Sequence, residues 1–225
     1  MAINPPERDA AIIGIACRLP GQVNDQESLW DFCSKAKTAT SSIPKTRFNA
    51  SQHYYPDRAK EGHFYTEAGS FLEDHDVAVF DAPFFGITEA EAKSLDPQQR
   101  LLLETTFLAL ENAGIDLTSI AGRTDVGVFA AGAQIDYQDR FKLDPYHSPI
   151  YAATSSAATM FANRLSYFFN LKGPSITVDT ACSSALTALH LAAESIKRGE
   201  CSVAVVGGSC LQISPHMISY FSNLG

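Results

Sequence analysis

Apolar residues gather along this chain in short unbroken runs and in helical stripes, and the two patterns predict different elements. Asp9-Ala-Ala-Ile-Ile-Gly-Ile-Ala16 is an unbroken run bounded by polar residues and the Pro20-Gly21 turn, and it predicts a buried strand. Asp125-Val-Gly-Val-Phe-Ala-Ala131, Ser175-Ile-Thr-Val-Asp179 and Ser202-Val-Ala-Val-Val-Gly207 predict further buried strands. Asp25 to Lys37 carries Leu29, Phe32 and Cys33 along one stripe and predicts a helix. Thr88-Glu-Ala-Glu91 fits a capping box, which satisfies two orphan amides at a helix start. Asp96-Pro97 then starts a new helix, with Asp as N-cap and Pro at the first helical position. That helix runs through Leu101, Leu102, Phe107, Leu108 and Ala109 to a stop at Gly114. Tyr151 to Tyr167 is expected to be helical for most of its length. Ser183 to Arg198 carries the clearest helical pattern. Leu186, Leu189, Ala193 and Ile196 recur at helical spacing, Lys197 and Arg198 close it, and Gly199 ends it.

Thr38 to about Phe80 mixes Pro, His, Tyr and charge without a clean period and reads as a long loop. Residues 1–8, with Pro5 and Pro6, read as a short exposed tail, leaving 9–225 as the folded part. Apolar strands interleaved with helices predict an α/β fold: a mostly parallel sheet covered by helices on both faces.

Composition narrows the function classes. The 225 residues are 45% hydrophobic and 19% charged, which fits a globular α/β protein and not a disordered chain. The net charge is −8 and no Lys/Arg run stands out, so nucleic acid and anionic membranes are poor partners. No stretch is long enough to span a bilayer. The run from Ala10 to Cys17 is short, follows Asp9 and lacks a basic leader, so it does not read as a signal peptide. The five cysteines (Cys17, Cys33, Cys182, Cys201 and Cys210) are odd in number and lack zinc-type pairing. A reduced, cytoplasmic protein with no metal site is the expectation, in which most cysteines are small buried apolar residues.

One cysteine stands apart. Val178-Asp-Thr-Ala-Cys-Ser-Ser-Ala-Leu186 lies where a predicted strand turns into an amphipathic helix. Open α/β sheets bind ligands at the carboxyl ends of their strands. The free amides and dipole at a helix start favour an anion, and the thiolate is the reactive form of a thiol. Small neighbours Ala181, Ser183 and Ser184 leave room for a thioester. On these grounds alone Cys182 stands evenly between a nucleophile and a buried structural thiol. No glycine-flanked serine of the hydrolase elbow type occurs, so a serine esterase is not indicated.

Asp179-Thr-Ala-Cys-Ser-Ser-Ala-Leu186 resembles the active-site signature of β-ketoacyl synthases. Other segments resemble the same family in the same order. They are Ile13-Gly-Ile-Ala-Cys-Arg-Leu-Pro-Gly21, Asp96-Pro-Gln-Gln-Arg-Leu-Leu-Leu-Glu104, Asn163-Arg-Leu-Ser-Tyr-Phe168 with Leu171-Lys-Gly-Pro-Ser175, and Gly199-Glu-Cys-Ser-Val-Ala-Val-Val-Gly-Gly208. The resemblance covers nearly the whole chain, and the Asp-Pro-Gln-Gln-Arg run points to type I polyketide synthases. Ketosynthases of type I fatty acid synthases are the second choice.

The resemblance implies the amino-terminal half of a thiolase-like fold, as a homodimer in the parent enzyme. It implies that Cys182 accepts an acyl group from an acyl carrier protein. A malonyl unit on a carrier then loses carbon dioxide, and the carbanion attacks the acyl-cysteine. No cofactor is bound directly; the substrates are phosphopantetheine-linked acyl and malonyl groups. The backbone amide of Cys182 is expected in the oxyanion hole, with Asp179, Thr180, Ala181, Ser183 and Ser184 supporting the turn. Met160 and Phe161 are candidates for the acyl pocket by the same resemblance, and core residues by spacing alone.

The family's two histidines, in a His-Gly-Thr and an Asn-Lys…Gly-His motif, lie downstream of the cysteine, and neither motif occurs here. The carboxy-terminal half is therefore an expected partner, and the isolated chain is expected to be condensation-incompetent. A truncated, non-enzymatic interaction protein is the alternative. His190 lies about 12 Å along the helix from Cys182, at 1.5 Å per residue, and reads as a packed helix residue. His216 follows Pro215 in a predicted loop, and His53, His63, His75 and His147 read as solvated loop residues. Asn163 and Arg164 are candidates for a dimer contact, a pocket wall or a helix surface. Gly207-Gly208 reads as a tight strand exit rather than a phosphate cradle.

Overall fold

The computed structural model describes residues 9–57, 60–72, 77, 79–132, 136–142, 146 and 148–224. The expected tail at 1–8, together with His75 and His147, lies outside the described residues. The chain packs as two compact units, one of Met1–Ala16, Phe80–Ile135 and Pro149–Cys210, the other of Cys17–Val79, Asp136–Ser148 and Leu211–Gly225.

The second unit holds helix α1 (Gln26–Ser34), a small antiparallel pair of strands β1 (Thr40–Ser42) and β2 (Ala68–Ser70), and two helices described below. Asp25 caps α1 through a full capping box with Ser28, its carboxylate accepting the Ser28 N–H at 2.7 Å. The strands are three residues each, short and polar, inside the segment expected to be loop. Ile43, Phe64, Phe71 and Ile218 form a small core, with Phe48 and Tyr54 packed against it.

The first unit is built on three parallel strands. Helices α2 (Glu89–Ser94), α3 (Pro97–Asn112) and α4 (Leu117–Ile120) lead into β3 (Val126–Ala131). Helix α5 (Asp136–Lys142) belongs to the second unit. Helices α6 (Ala152–Ser156) and α7 (Met160–Phe168) precede β4 (Ser175–Val178). Helix α8 (Ser184–Lys197) leads to β5 (Val203–Gly208), and α9 (Pro215–Leu224) closes the second unit. The expected helix at 151–167 is thus split in two. The sheet order is β4-β3-β5, with Val128 opposite Ser175 and Val205, so β3 is central.

All six residues of β3 are buried, because helices cover both of its faces. Val126, Val128 and Ala130 face Leu102, Leu103 and Leu110 of α3 and Phe161 and Leu165 of α7. Phe129 on the opposite face meets Ala188 and Ala192 of α8. This is the alternation a strand imposes, with an apolar partner on each side. Each fully buried leucine contributes roughly 1.5–3 kcal/mol.

Local chemistry places the caps as expected. Asp96 accepts the Gln98 N–H at 2.8 Å, Pro97 opens α3, and Gly114 turns left-handed beyond its end at φ +67. Thr88 accepts the Glu91 N–H at 3.3 Å, which is one half of the expected box. The Glu91 carboxylate instead turns to Arg164.

Three expectations are corrected. Residues 9–16 form no strand, since an apolar run becomes one only by pairing and no strand of the sheet pairs with it. Ile12, Ile13 and Ile15 are 68%, 60% and 45% exposed, and the run is held to α3 by the Ile15 N–H on Asn112 Oδ1 at 3.0 Å. In α8 the buried stripe is Ser184, Ala188, Ala192 and Ser195, while Leu186 is 73% exposed. Small side chains face the sheet because the helix lies close to it; a Cβ on Gly208 would sit 3.5 Å from the Ala185 Cβ. Finally, His216 lies on α9 and not in a loop, with Pro215 at the first helical position.

At the amino ends of β3 and β5, Arg123 donates to Asp125 through Nε (2.9 Å) and Nη2 (2.7 Å), and the Ser202 hydroxyl donates to Asp125 at 2.6 Å. The hydrogen bonds from Arg123, then from Ser202, hold the Asp125 carboxyl well below the usual carboxylate range. A carboxylate depressed in the folded state stabilises it above the unfolded pKa, and that contribution is lost as pH falls through the folded value. Wild type should therefore melt above Asp125→Asn at neutral pH, with the gap narrowing as pH is lowered from about 4 downward. A gap unchanged by acid in thermal melts would remove the carboxylate from this role.

Candidate active site

Strand β4 ends at Val178, and the chain enters α8 through Asp179, Thr180 and a 3-10 turn, Ala181–Ser183. Cys182 sits in that turn and is exposed, so the buried-thiol alternative does not describe it. Cys201, buried against α8 and β3, does fit that description. Cys33 and Cys210 are exposed, and the half-buried Cys17 thiol is pushed up in pKa by burial and then by the Asp25 carboxylate.

Ala181 holds φ +56, a left-handed conformation that costs a non-glycine residue roughly 1–2 kcal/mol. Hydrogen bonds hold it there. Asp179 Oδ1 accepts the Ala181 N–H at 3.0 Å, an Asx turn. The Ser184 hydroxyl donates to the Ala181 carbonyl at 2.7 Å and accepts the Thr180 N–H at 2.8 Å. Ser183 Oγ donates to the Thr180 carbonyl at 2.8 Å and lies 2.9 Å from Thr180 Oγ1. Thr180 Oγ1 and Thr187 Oγ1 are 3.1 Å apart, tying the turn to the first turn of α8. All five residues expected to support the turn are thus joined around Cys182.

Thr187 was not among the expected residues. Its signal was available, since position 187 lies one turn beyond Ser184 on the same helix. Ser183, ahead of α8, places no side-chain cap on the first-turn amides. The thiol therefore stands at the carboxyl end of a parallel strand and at a helix start, where amide dipoles favour an anion.

Met160 and Phe161 open α7 and have different surroundings. Phe161 is buried in the core, its ring so close to Gly132 that a Cβ there would lie 2.3 Å from it; Met160 is half-buried. Thr177 of β4 ties this helix start to the strand before Cys182. Its Oγ1 accepts the Ala162 N–H at 3.3 Å and donates to the Thr159 carbonyl at 3.3 Å. Asn163 accepts from the Ser175 hydroxyl at 2.9 Å.

Arg164 is not a helix-surface residue: it is buried. Nε donates to Gln99 Oε1 at 2.7 Å, Nη1 to Glu91 Oε1 at 2.8 Å, and Nη2 to the Thr154 carbonyl at 3.1 Å. Gln99 in turn donates to the Ser155 carbonyl at 3.0 Å. This seam joins α2, α3, α6 and α7. It was not expected, because glutamine and arginine in an amphipathic pattern read as surface residues.

In the unit that holds Cys182 the described histidine is His190, an exposed residue of α8. His53, His63 and His216 belong to the other unit. There His53 is half-buried and stacks on Phe64 at 6.3 Å, and His63 meets the Tyr55 ring edge-on at 5.9 Å, so neither is a purely solvated loop residue. A depression of about 430 Å³ lined by Phe107, Leu110, Glu111 and Ile115 includes no residue of the Cys182 turn. No helix among the described residues is long and apolar enough to cross a membrane.

Comparison with known proteins points to one family. The family model described as "Beta-ketoacyl synthase, N-terminal domain" matches residues 7–225. Highly-reducing polyketide synthase 1 of Aureobasidium melanogenum is 49% identical over 95% of this chain and 10% of its own length. A lovastatin diketide synthase of Monascus pilosus is 44% identical over 96% of this chain and 8% of its own. The chain thus spans about a tenth of the length of the curated relatives it matches. An oxazolomycin ketosynthase domain of Streptomyces albus JA3453 superposes with a TM-score of 0.85 at 35% identity, covering 95% of this chain and 36% of that one. The ketosynthase from module 6 of the Bacillus subtilis bacillaene synthase gives 0.83 at 31% identity, covering 96% and 34%.

Removing one partner of a buried ion pair strands the other. Arg164→Met should lower the stability of the protein by about 3 kcal/mol in urea unfolding. A loss below about 1 kcal/mol, the range of surface pairs, would show that the seam is solvent-like.

Proposed function

The chain belongs to the β-ketoacyl synthase family, whose N-terminal domain it matches, and we propose that it is the acyl-accepting part of a polyketide-synthase ketosynthase. The observation that carries this is Cys182, exposed in a hydrogen-bonded turn between a parallel strand and a helix start. A Cys182 thiolate attacks the carbonyl carbon of an acyl thioester borne by phosphopantetheine on an acyl carrier protein. The carrier thiolate leaves and takes a proton, and the acyl group stays on sulfur. Backbone N–H groups at the turn, that of Cys182 among them, would steady the oxyanion as it forms. A malonyl thioester then loses carbon dioxide, its carbanion attacks the acyl-cysteine, and the Cys182 thiolate is released.

The second half-reaction calls for the family's two histidines, which are not among these 225 residues. Condensation is therefore assigned to Cys182 together with a carboxy-terminal half, and acyl acceptance alone to this chain. The outward leucines of α8, Leu186, Leu189 and Leu191, support such a covering partner. These relatives are polyketide synthases, which favours that assignment over a fatty acid synthase.

The complete protein, incubated with an acyl thioester, should gain the mass of a single acyl group, and Cys182→Ala should gain none. Acyl loading or chain extension by the variant at the wild-type level would sink the assignment.

A further inference from the structure

We infer that the Ser184 hydroxyl is the positioning group for Cys182, holding the turn in the one twist that presents the thiol; this rests on Cys182 being the acyl acceptor. From Asp179 through Ser183 every residue is exposed, and Ser184 is buried. Its oxygen accepts the Thr180 N–H at 2.8 Å, and its single proton goes to the Ala181 carbonyl at 2.7 Å. The Ser184 backbone N–H is directed to the same carbonyl. One side chain thus grips the backbone on both sides of the left-handed residue.

The consequence for Cys182 follows from peptide geometry. In a planar trans peptide the carbonyl of one residue and the N–H of the next point in opposite senses. Drawing the Ala181 carbonyl into the first turn of α8 therefore sends the Cys182 N–H the other way, toward the exposed side where Cys182 lies. The other supports of the turn do less. Asp179 holds only the Ala181 N–H, and the exposed Ser183 hydroxyl serves Thr180 alone, where water can replace it. Without the Ser184 hydroxyl, Ala181 loses a reason to stay at φ +56, and the right-handed region is open to it.

The test is alkylation of Cys182 by iodoacetamide in the complete protein, followed from about pH 6 to about pH 9 by peptide mass. Ser184→Ala should slow Cys182 about tenfold at neutral pH, the change that about 1.4 kcal/mol on the barrier produces. Ser184→Thr, which keeps the hydroxyl, should restore the rate. A Ser184→Ala profile equal to wild type, or a threonine variant no faster than the alanine one, overturns the inference.

Buried Cys201 serves as an internal report on folding. Should it become reactive in Ser184→Ala, the comparison moves to Ser184→Thr against Ser184→Val, equal in volume and differing in the hydroxyl. Thr faster than Val supports the inference, and equality overturns it. Alkylation needs no acyl donor, so these outcomes are separate from those of acyl loading, which test Cys182 as acceptor.

Discussion

Burying a strand on both faces leaves it no polar side to turn to water, and the larger unit of this protein is arranged around that constraint. Strand β3 meets it with Val, Phe, Ala and Gly alone. Its small residues let α7 approach from one side and α8 from the other; a Cβ on Gly132 would overlap the Phe161 ring, and one on Gly208 would rest against the Ala185 Cβ at 3.5 Å. Parallel neighbours on both edges then carry β4 to the same end of the sheet as β5. Cys182 stands at that end because β4 runs parallel to β3, and it meets a helix start because α8 must cover the sheet.

Between α2, α3, α6 and α7 polar groups enter the interior as a connected set. The guanidinium of Arg164 reaches a carboxylate, an amide and a carbonyl, and Gln99 passes the chain of bonds to Ser155. Such a seam has defined partners and angles, whereas apolar packing tolerates sliding. It registers α6 and α7 against α3, and Thr177 carries that registration into the strand before Cys182. The Cys182 turn has the same character on a smaller scale, with Ser184 in the place of the guanidinium.

What could be read from the residues was what local chemistry dictates. The Asp96-Pro97 cap, the Gly114 and Gly199 stops and the apolar run of β3 need only their own neighbours in sequence. Residues 9–16 have an equally apolar run, yet a strand is made by its partner as much as by its own residues, and none of the three sheet strands pairs with this run. Hydropathy placed the leucines of α8 inward, but a helix lying close to a sheet selects Ser184, Ala188, Ala192 and Ser195 by size. Helix α9 was hidden by its own first residue, since Pro215 suits a loop and a helix start equally. At the site, the resemblance picked out Cys182 and its five neighbours. Helical spacing sets Thr187 one turn beyond Ser184, but its pairing with Thr180 also depends on the angle at which α8 leaves the turn.

The parallel sheet also separates two kinds of risk along its length. Arg123, Asp125 and Ser202 clasp the strands where they begin, and Cys182 lies where they end, roughly 20 Å away for six residues at about 3.3 Å each. Changes near the clasp will register as tolerance to heat and acid, and changes near the turn as chemistry. Robustness can therefore be altered at one end while the Cys182 turn is left as it is at the other. An engineer seeking a hardier scaffold has a stretch of surface to work on at the opposite end of the sheet from Cys182.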